Sequence, residues 1–208
     1  MIGSDPKADL QVYLQDARDA LLWKLEGLPE YDIRRPMTPT GTNLLGLVKH
    51  LTGAEALYFG TTFGRPFDDG PALWIAGDAE PDADLWARPD ETREEITGLY
   101  RRVWVHSDET IASLPLDAVG RVPGARNGLT LHHSLAHMIA ETQRHAGHAD
   151  IVRELIDGAV GQRAASPNVA PGDAASRQAH VDRVERAAKE AGGPGAEGLG
   201  AGGRSESS

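Results

Sequence analysis

His137-Met138-Ile139-Ala140-Glu141-Thr142-Gln143-Arg144-His145-Ala146-Gly147-His148-Ala149-Asp150-Ile151-Val152-Arg153-Glu154-Leu155-Ile156-Asp157-Gly158 is the stretch from which the rest of the chain is read. At about 100° per residue, Glu141 and His145 fall one turn apart on one helix face, and His137 and His148 share their narrow stripe. Leu135, Met138, Ile139, Val152, Leu155 and Ile156 flank that stripe, so it borders the side of the helix that must be buried. Polar groups beside a core need partners, and a single metal ion satisfies several imidazoles and carboxylates at once. The pattern predicts a helix from about Thr130 to Asp157, closed by Gly158.

Three more helices follow from the same periodicity. Asp5-Pro6 is a helix start, with Asp as N-cap and Pro in the first turn, and apolar residues recur at helical spacing from Leu10 to Leu25. Tyr31 to Gly41, with Pro36 and Pro39, is expected to be an ordered loop. Thr42 opens a second helix whose apolar face runs from Leu44 to Tyr58 and ends near Gly60, with His50 inside that face. Asp90 or Thr92 caps a third helix carrying Ile96, Leu99, Tyr100, Val103, Trp104, Ile111 and Leu114 up to Pro115, with His106 as a surface or rim residue. Residues 63 to 90 are long, turn-rich and hold Phe67, Trp74 and Trp86. They read as a crossover that packs its Trp residues on the bundle, over the mouth of a site, with a plain packed connector as the alternative. Asn127-Gly128 marks a turn before the last helix.

No stretch alternates with period two for long enough to make a strand, and the chain has no internal repeat. The expected fold is all-α, a four-helix bundle over residues 1–161 with a long crossover between its second and third helices. From residue 162 the composition turns to Ala, Gly, Ser and Pro. Residues 162–208 are expected to be a disordered tail, with a frayed helix around Val181 to Ala191. That tail carries six of the 21 Lys and Arg and six of the 31 Asp and Glu, leaving 15 against 25 in residues 1–161. An acidic folded part argues against nucleic acid or an anionic membrane as partner. No apolar run suits a signal peptide or a membrane span, so the expected location is the cytoplasm. With no Cys, any metal must be held by His and carboxylates.

His50 is the one His on the apolar face of the second helix, and two facing bundle helices can bring it opposite Glu141 and His145. The result is a His-Glu-His set that leaves positions open, as catalytic rather than structural zinc sites do. The alternative on spacing alone is a Glu-His surface pair and an unrelated core His. His137, His148 and Tyr58 are expected to line the pocket or brace the ligands. Asp150 and Arg153 read as a local salt bridge or a helix-packing pair, and His132 and His133 as solvent-facing or capping. Two His and a carboxylate also suit nickel, iron or manganese.

Leu44-Leu45-Gly46-Leu47-Val48-Lys49-His50-Leu51 and His137 to Asp150 together resemble the actinobacterial branch of the DinB-like (DinB/YfiT-like) metal-binding bundle superfamily, over roughly residues 5 to 160. In the related mycothiol-dependent maleylpyruvate isomerase the zinc ligands are a His on the second helix and a Glu-x-x-x-His pair on the fourth. The resemblance carries these onto His50, Glu141 and His145, and Glu rather than His at the first position points to the mycothiol-type branch. The chain has no counterpart of the isomerase's extra C-terminal domain, so that reaction is not implied. The resemblance instead implies a zinc enzyme that activates a small thiol such as mycothiol for transfer to an electrophilic small molecule. A metal-dependent hydrolase and a non-catalytic metal-binding or stress-response protein are the alternatives. Pairing of exposed helix faces would make it a homodimer.

Overall fold

A computed structural model describes residues 5–67, 79–167, 169 and 172–192. The chain divides into two compact units, the first ending at Asn168. Helix α1 (Pro6–Trp23) begins as its sequence dictates, with the Asp5 carboxylate accepting from the Lys7 backbone N–H at 3.0 Å. The expected loop after it contains a short helix, α2 (Glu30–Arg34), which buries Ile33 completely and places Glu30 and Asp32 in its first turn and Arg34 in its last. Helix α3 (Leu44–Glu55) is capped by Asn43, one residue beyond the expected Thr42, whose side-chain oxygen accepts from the Gly46 N–H at 2.8 Å. It passes into a π turn, Ala56–Gly60, and a 3-10 turn, Thr61–Phe63.

Helix α4 (Arg93–Ser113) starts in a complete capping box between Thr92 and Glu95. Between α4 and α5 the chain makes a two-residue antiparallel ladder, β1 (Val119–Gly120) with β2 (Leu129–Thr130), too short to leave a period-two signal in the sequence. Helix α5 (Leu131–Asp157) is capped by Thr130, whose hydroxyl accepts from the His133 N–H, and ends at Gly158, whose φ of 78° is open to glycine at little cost.

Long-range contacts fix the directions of the four long helices. Lys7 donates to the Ile111 and Leu114 carbonyls at the end of α4, while Arg93 at its start reaches the Leu28 carbonyl beyond α1, so α1 and α4 are antiparallel. Lys24 pairs with Asp150, and Arg153 donates to the Lys24 and Glu26 carbonyls, so α1 and α5 end together and run parallel. Lys49 in the middle of α3 pairs with Glu91 just before α4, and the Arg65 carbonyl beyond the end of α3 accepts from His106 late in α4. These two helices therefore run the same way, which is why their connection must travel back along the bundle. Leu14, Leu21, Leu45, Leu51, Phe59, Ile111, Leu135 and Met138 are fully buried between the helices. Burial of each such side chain contributes about 1.5–3 kcal/mol.

Two details narrow the sequence reading. Asp150 and Arg153 form no salt bridge with each other but act in helix packing, the other alternative: Asp150 takes Lys24, and Arg153 takes the carbonyls at the end of α1 beside its own pair with Asp157. Of the crossover tryptophans, Trp74 lies outside the described residues, and Trp86 is 40% exposed. Among the described residues, the crossover docks on α3 through the Leu85 and Trp86 carbonyls, which accept from Asn43 and Lys49, and through the Asp84 carboxylate against His50.

In the second unit, α6 (Ala174–Gly192) is longer than the expected Val181–Ala191 segment, and none of its residues is buried. Helix formers fill it, and local pairs such as Glu185 with Lys189 support it without a core. Among the described residues no helix is long and apolar enough to cross a membrane.

Candidate metal centre

His50 projects from the middle of α3, and Glu141 and His145 project from successive turns of α5. His145 Nε2 lies 2.9 Å from Glu141 Oε1, and His50 Nε2 lies 3.4 Å from the same oxygen. One donor atom from each of the three residues falls within 4.8 Å of the others. Ligands held at about 2.1 Å around a tetrahedral ion stand about 3.4 Å apart, so small side-chain rotations bring this set to ligating distances. The His50 and His145 rings meet edge to face with centroids 4.8 Å apart. The side chains are 22%, 25% and 13% exposed for His50, Glu141 and His145, so a small molecule can reach the cluster from outside.

The electrostatics suit cation binding. Burial alone pushes the Glu141 carboxyl up, but hydrogen bonds and positive charge from His145 and His50 outweigh it and hold the group below the usual carboxylate range. Burial, followed by the charge of His50, pushes the His145 imidazole down, against the pull of Glu141. At neutral pH this leaves an ionised carboxylate beside a neutral imidazole, the protonation states a divalent metal requires. Both folded values lie below the ordinary ones, so their stabilisation is present above the unfolded pKa and lost as pH falls. The difference in urea stability between the metal-free protein and its His145→Ala variant, in which the contribution of Glu55 cancels, is expected to decline below about pH 6.5 and further below about pH 4.3, the ordinary His and Glu values. A flat profile over that range would contradict the assignment.

His148 is exposed, with Nδ1 3.3 Å from Nδ1 of His145, so it braces one ligand from the outer side. Tyr58 comes from the π turn, and its ring stacks against His137 at 4.4 Å, a turn before Glu141. Such π turns recur at functional sites because they re-aim a side chain within an otherwise regular helix. His106 turns away from the cluster and donates from Nε2 to the Arg65 carbonyl at 2.7 Å, while His132 and His133 are exposed. The sequence reading did not find Asp84. Its carboxylate comes from the crossover and lies 2.6 Å from His50 Nδ1.

A four-helix bundle with a long α3 to α4 crossover, in which the α3 imidazole meets a Glu-x-x-x-His pair on α5, defines a DinB-like bundle. The family model for mycothiol-S-transferase matches residues 9–158, and the chain belongs to that family. The fold is also that of a conserved protein from Enterococcus faecalis known from its crystal structure. The two agree with a TM-score of 0.60 at 12% identity, over 75% of this chain and 99% of that one. No curated protein matches the chain.

Proposed function

We propose that His50, Glu141 and His145 hold a divalent metal, zinc in the first place, and that the protein transfers mycothiol or a similar small thiol to an electrophilic small molecule. The meeting of two imidazoles and one carboxylate at a reachable point between α3 and α5 carries this reading, and membership of the mycothiol-S-transferase family supplies the thiol. The donor set fits: neutral imidazole nitrogens and one carboxylate oxygen suit zinc, and three protein ligands leave room for a further group. A bound divalent cation there supplies the positive charge that keeps a thiol as its thiolate near neutral pH.

The protein's own groups do the rest. Glu141 offsets part of the cation's charge, and before metal arrives the bond it accepts from His145 Nε2 at 2.9 Å holds it within the set. His148 lies on the outer side of His145, and the stacked Tyr58 and His137 rings form an aromatic wall beside Glu141 suited to the body of a substrate. Calorimetric titration of the zinc-loaded protein with mycothiol is expected to show one site per chain, absent from the zinc-free protein. No heat in the zinc-loaded form would remove the reading. Turnover of an ester or amide without any thiol would replace it with hydrolysis.

A further inference from the structure

We propose that residues 84–86 of the crossover form a strap that orients His50, with Asp84 as its positioning residue and Gly46 as the seat that lets it close. The inference rests on the metal-site reading and concerns residues that the reading does not use.

Three consecutive crossover residues each engage α3. Asp84 Oδ2 lies 2.6 Å from His50 Nδ1, the short distance of a charge-assisted bond. A carboxylate only accepts, so Nδ1 carries the proton and donates, and Nε2 is the nitrogen left to face Glu141. A flipped His50 ring would lose this bond. The carbonyl of Leu85 accepts from the Asn43 side chain at 3.2 Å and occupies the space over Gly46, where an added Cβ would lie 1.9 Å from that oxygen. The carbonyl of Trp86 accepts from the Lys49 ammonium at 3.1 Å. Lys49 is 2% exposed, and both Glu91 carboxylate oxygens hold it at 2.8 Å, so the strap is anchored to a buried ammonium paired with a partly buried carboxylate.

Asn43, Gly46 and His50 follow one another at i, i+3 and i+7 and so share one stripe of α3, with Lys49 beside it. The run from Leu44 to Leu51 therefore carries both a ligand and the surface on which that ligand's support is laid. Glycine at position 46 is what the backbone-to-backbone approach requires: any side chain there displaces Leu85 and, through it, Asp84. Groups that orient a ligating imidazole through its other nitrogen contribute about 10- to 100-fold in metal affinity.

The test is zinc affinity, measured by competition with a chromophoric chelator, in wild type, Asp84→Ala, Asp84→Asn, Gly46→Ala and His50→Ala. Asp84→Ala is expected to bind zinc about 10- to 100-fold more weakly. Asp84→Asn, whose amide oxygen still accepts from Nδ1, should lose less. Gly46→Ala should match Asp84→Ala although it alters neither a ligand nor Asp84, and alanine favours the helix there. The second readout is the His50 Nδ1–H in zinc-loaded, ring-labelled protein. Nuclear magnetic resonance should find it protected from exchange in wild type and exchanging rapidly in Asp84→Ala and Gly46→Ala. If His50→Ala loses zinc while Asp84→Ala keeps full affinity and a protected proton, the strap is overturned and the metal site stands. Full zinc affinity in His50→Ala overturns both.

Discussion

His145→Ala is expected to leave the purified protein with almost no zinc and no measurable thiol transfer, while its helical content and melting stay close to those of the metal-free wild type. The three candidate donors are not equal. Glu141 lies within hydrogen-bonding distance of both imidazoles, but His145 is the least exposed of the set and is neutral at pH 7 because burial and the neighbouring His50 push its imidazole down. Removing it leaves one imidazole and one carboxylate, too few protein ligands for the three-ligand pattern of catalytic zinc sites. The loss must exceed the about 10- to 100-fold cost of disturbing a supporting group, so Asp84→Ala sets the lower bound for the effect. Neither nearby imidazole is placed to substitute: His137 is stacked on Tyr58 a turn before Glu141, and His148 stands exposed on the far side of the His145 ring with its Nδ1 3.3 Å from that of His145. Zinc per chain by elemental analysis, run beside circular dichroism, separates loss of the metal from loss of the fold. A zinc-replete His145→Ala would remove His145 from the set.

The second large effect lies in the core. Arg18→Met is expected to destabilise the protein by about 3–5 kcal/mol, a large share of the about 5–15 kcal/mol that holds a domain together. Arg18 is 1% exposed and grips Glu55, which is fully buried, through two parallel bonds of 2.8 and 2.9 Å. It also reaches Asp108 at 3.0 Å, so one guanidinium ties α1 to α3 and α4. Methionine fills much of the arginine volume but leaves the Glu55 carboxylate with no countercharge. Desolvation, not the lost attraction, dominates the cost, so Arg18→Met/Glu55→Leu is expected to recover most of the stability.

The pH dependence follows the same logic. Burial pushes the Glu55 carboxyl up even against the charge and hydrogen bonds of Arg18. A group whose folded pKa is raised contributes its stability in full below the unfolded value of about 4.3 and loses it as pH rises toward the folded value. Without Arg18 the rise is larger, so the deficit of Arg18→Met should widen between pH 4 and pH 7. Urea denaturation at both pH values checks it, and a deficit that narrows with rising pH would contradict it. Because the π turn with Tyr58 begins immediately after Glu55, this pair also fixes the end of α3 that carries the aromatic wall of the site.

What could be read in the sequence was local chemistry. Asp5-Pro6, Thr130 and Gly158 each mark a helix end, and Thr92 is one of two candidates for another, because a cap satisfies backbone groups within a few residues of itself. The meeting of His50 with Glu141 and His145 could be inferred because a polar i,i+4 pair and a His within an apolar face both conflict with burial unless they meet. Other features left no such trace. A five-residue helix such as α2 is too short for a period to show, and the π turn adds its extra residue without a change in composition. Asp84 stands 34 residues from His50 in a turn-rich segment that also holds Asp82 and Asp90, and only the fold singles it out. Nothing in the sequence around Gly46 marks it off from any other glycine within a helical run, and its meaning appears only with the Leu85 carbonyl against it.

The central claim is that one metal ion sits between α3 and α5 on His50, Glu141 and His145. Crystals of the zinc-loaded protein measured on both sides of the zinc absorption edge test it most directly. The account expects a single strong anomalous peak per chain at bonding distance, about 2.0–2.2 Å, from His50 Nε2, Glu141 and His145 Nε2. A zinc-replete crystal with its peak elsewhere, or with no peak between these three side chains, would contradict it.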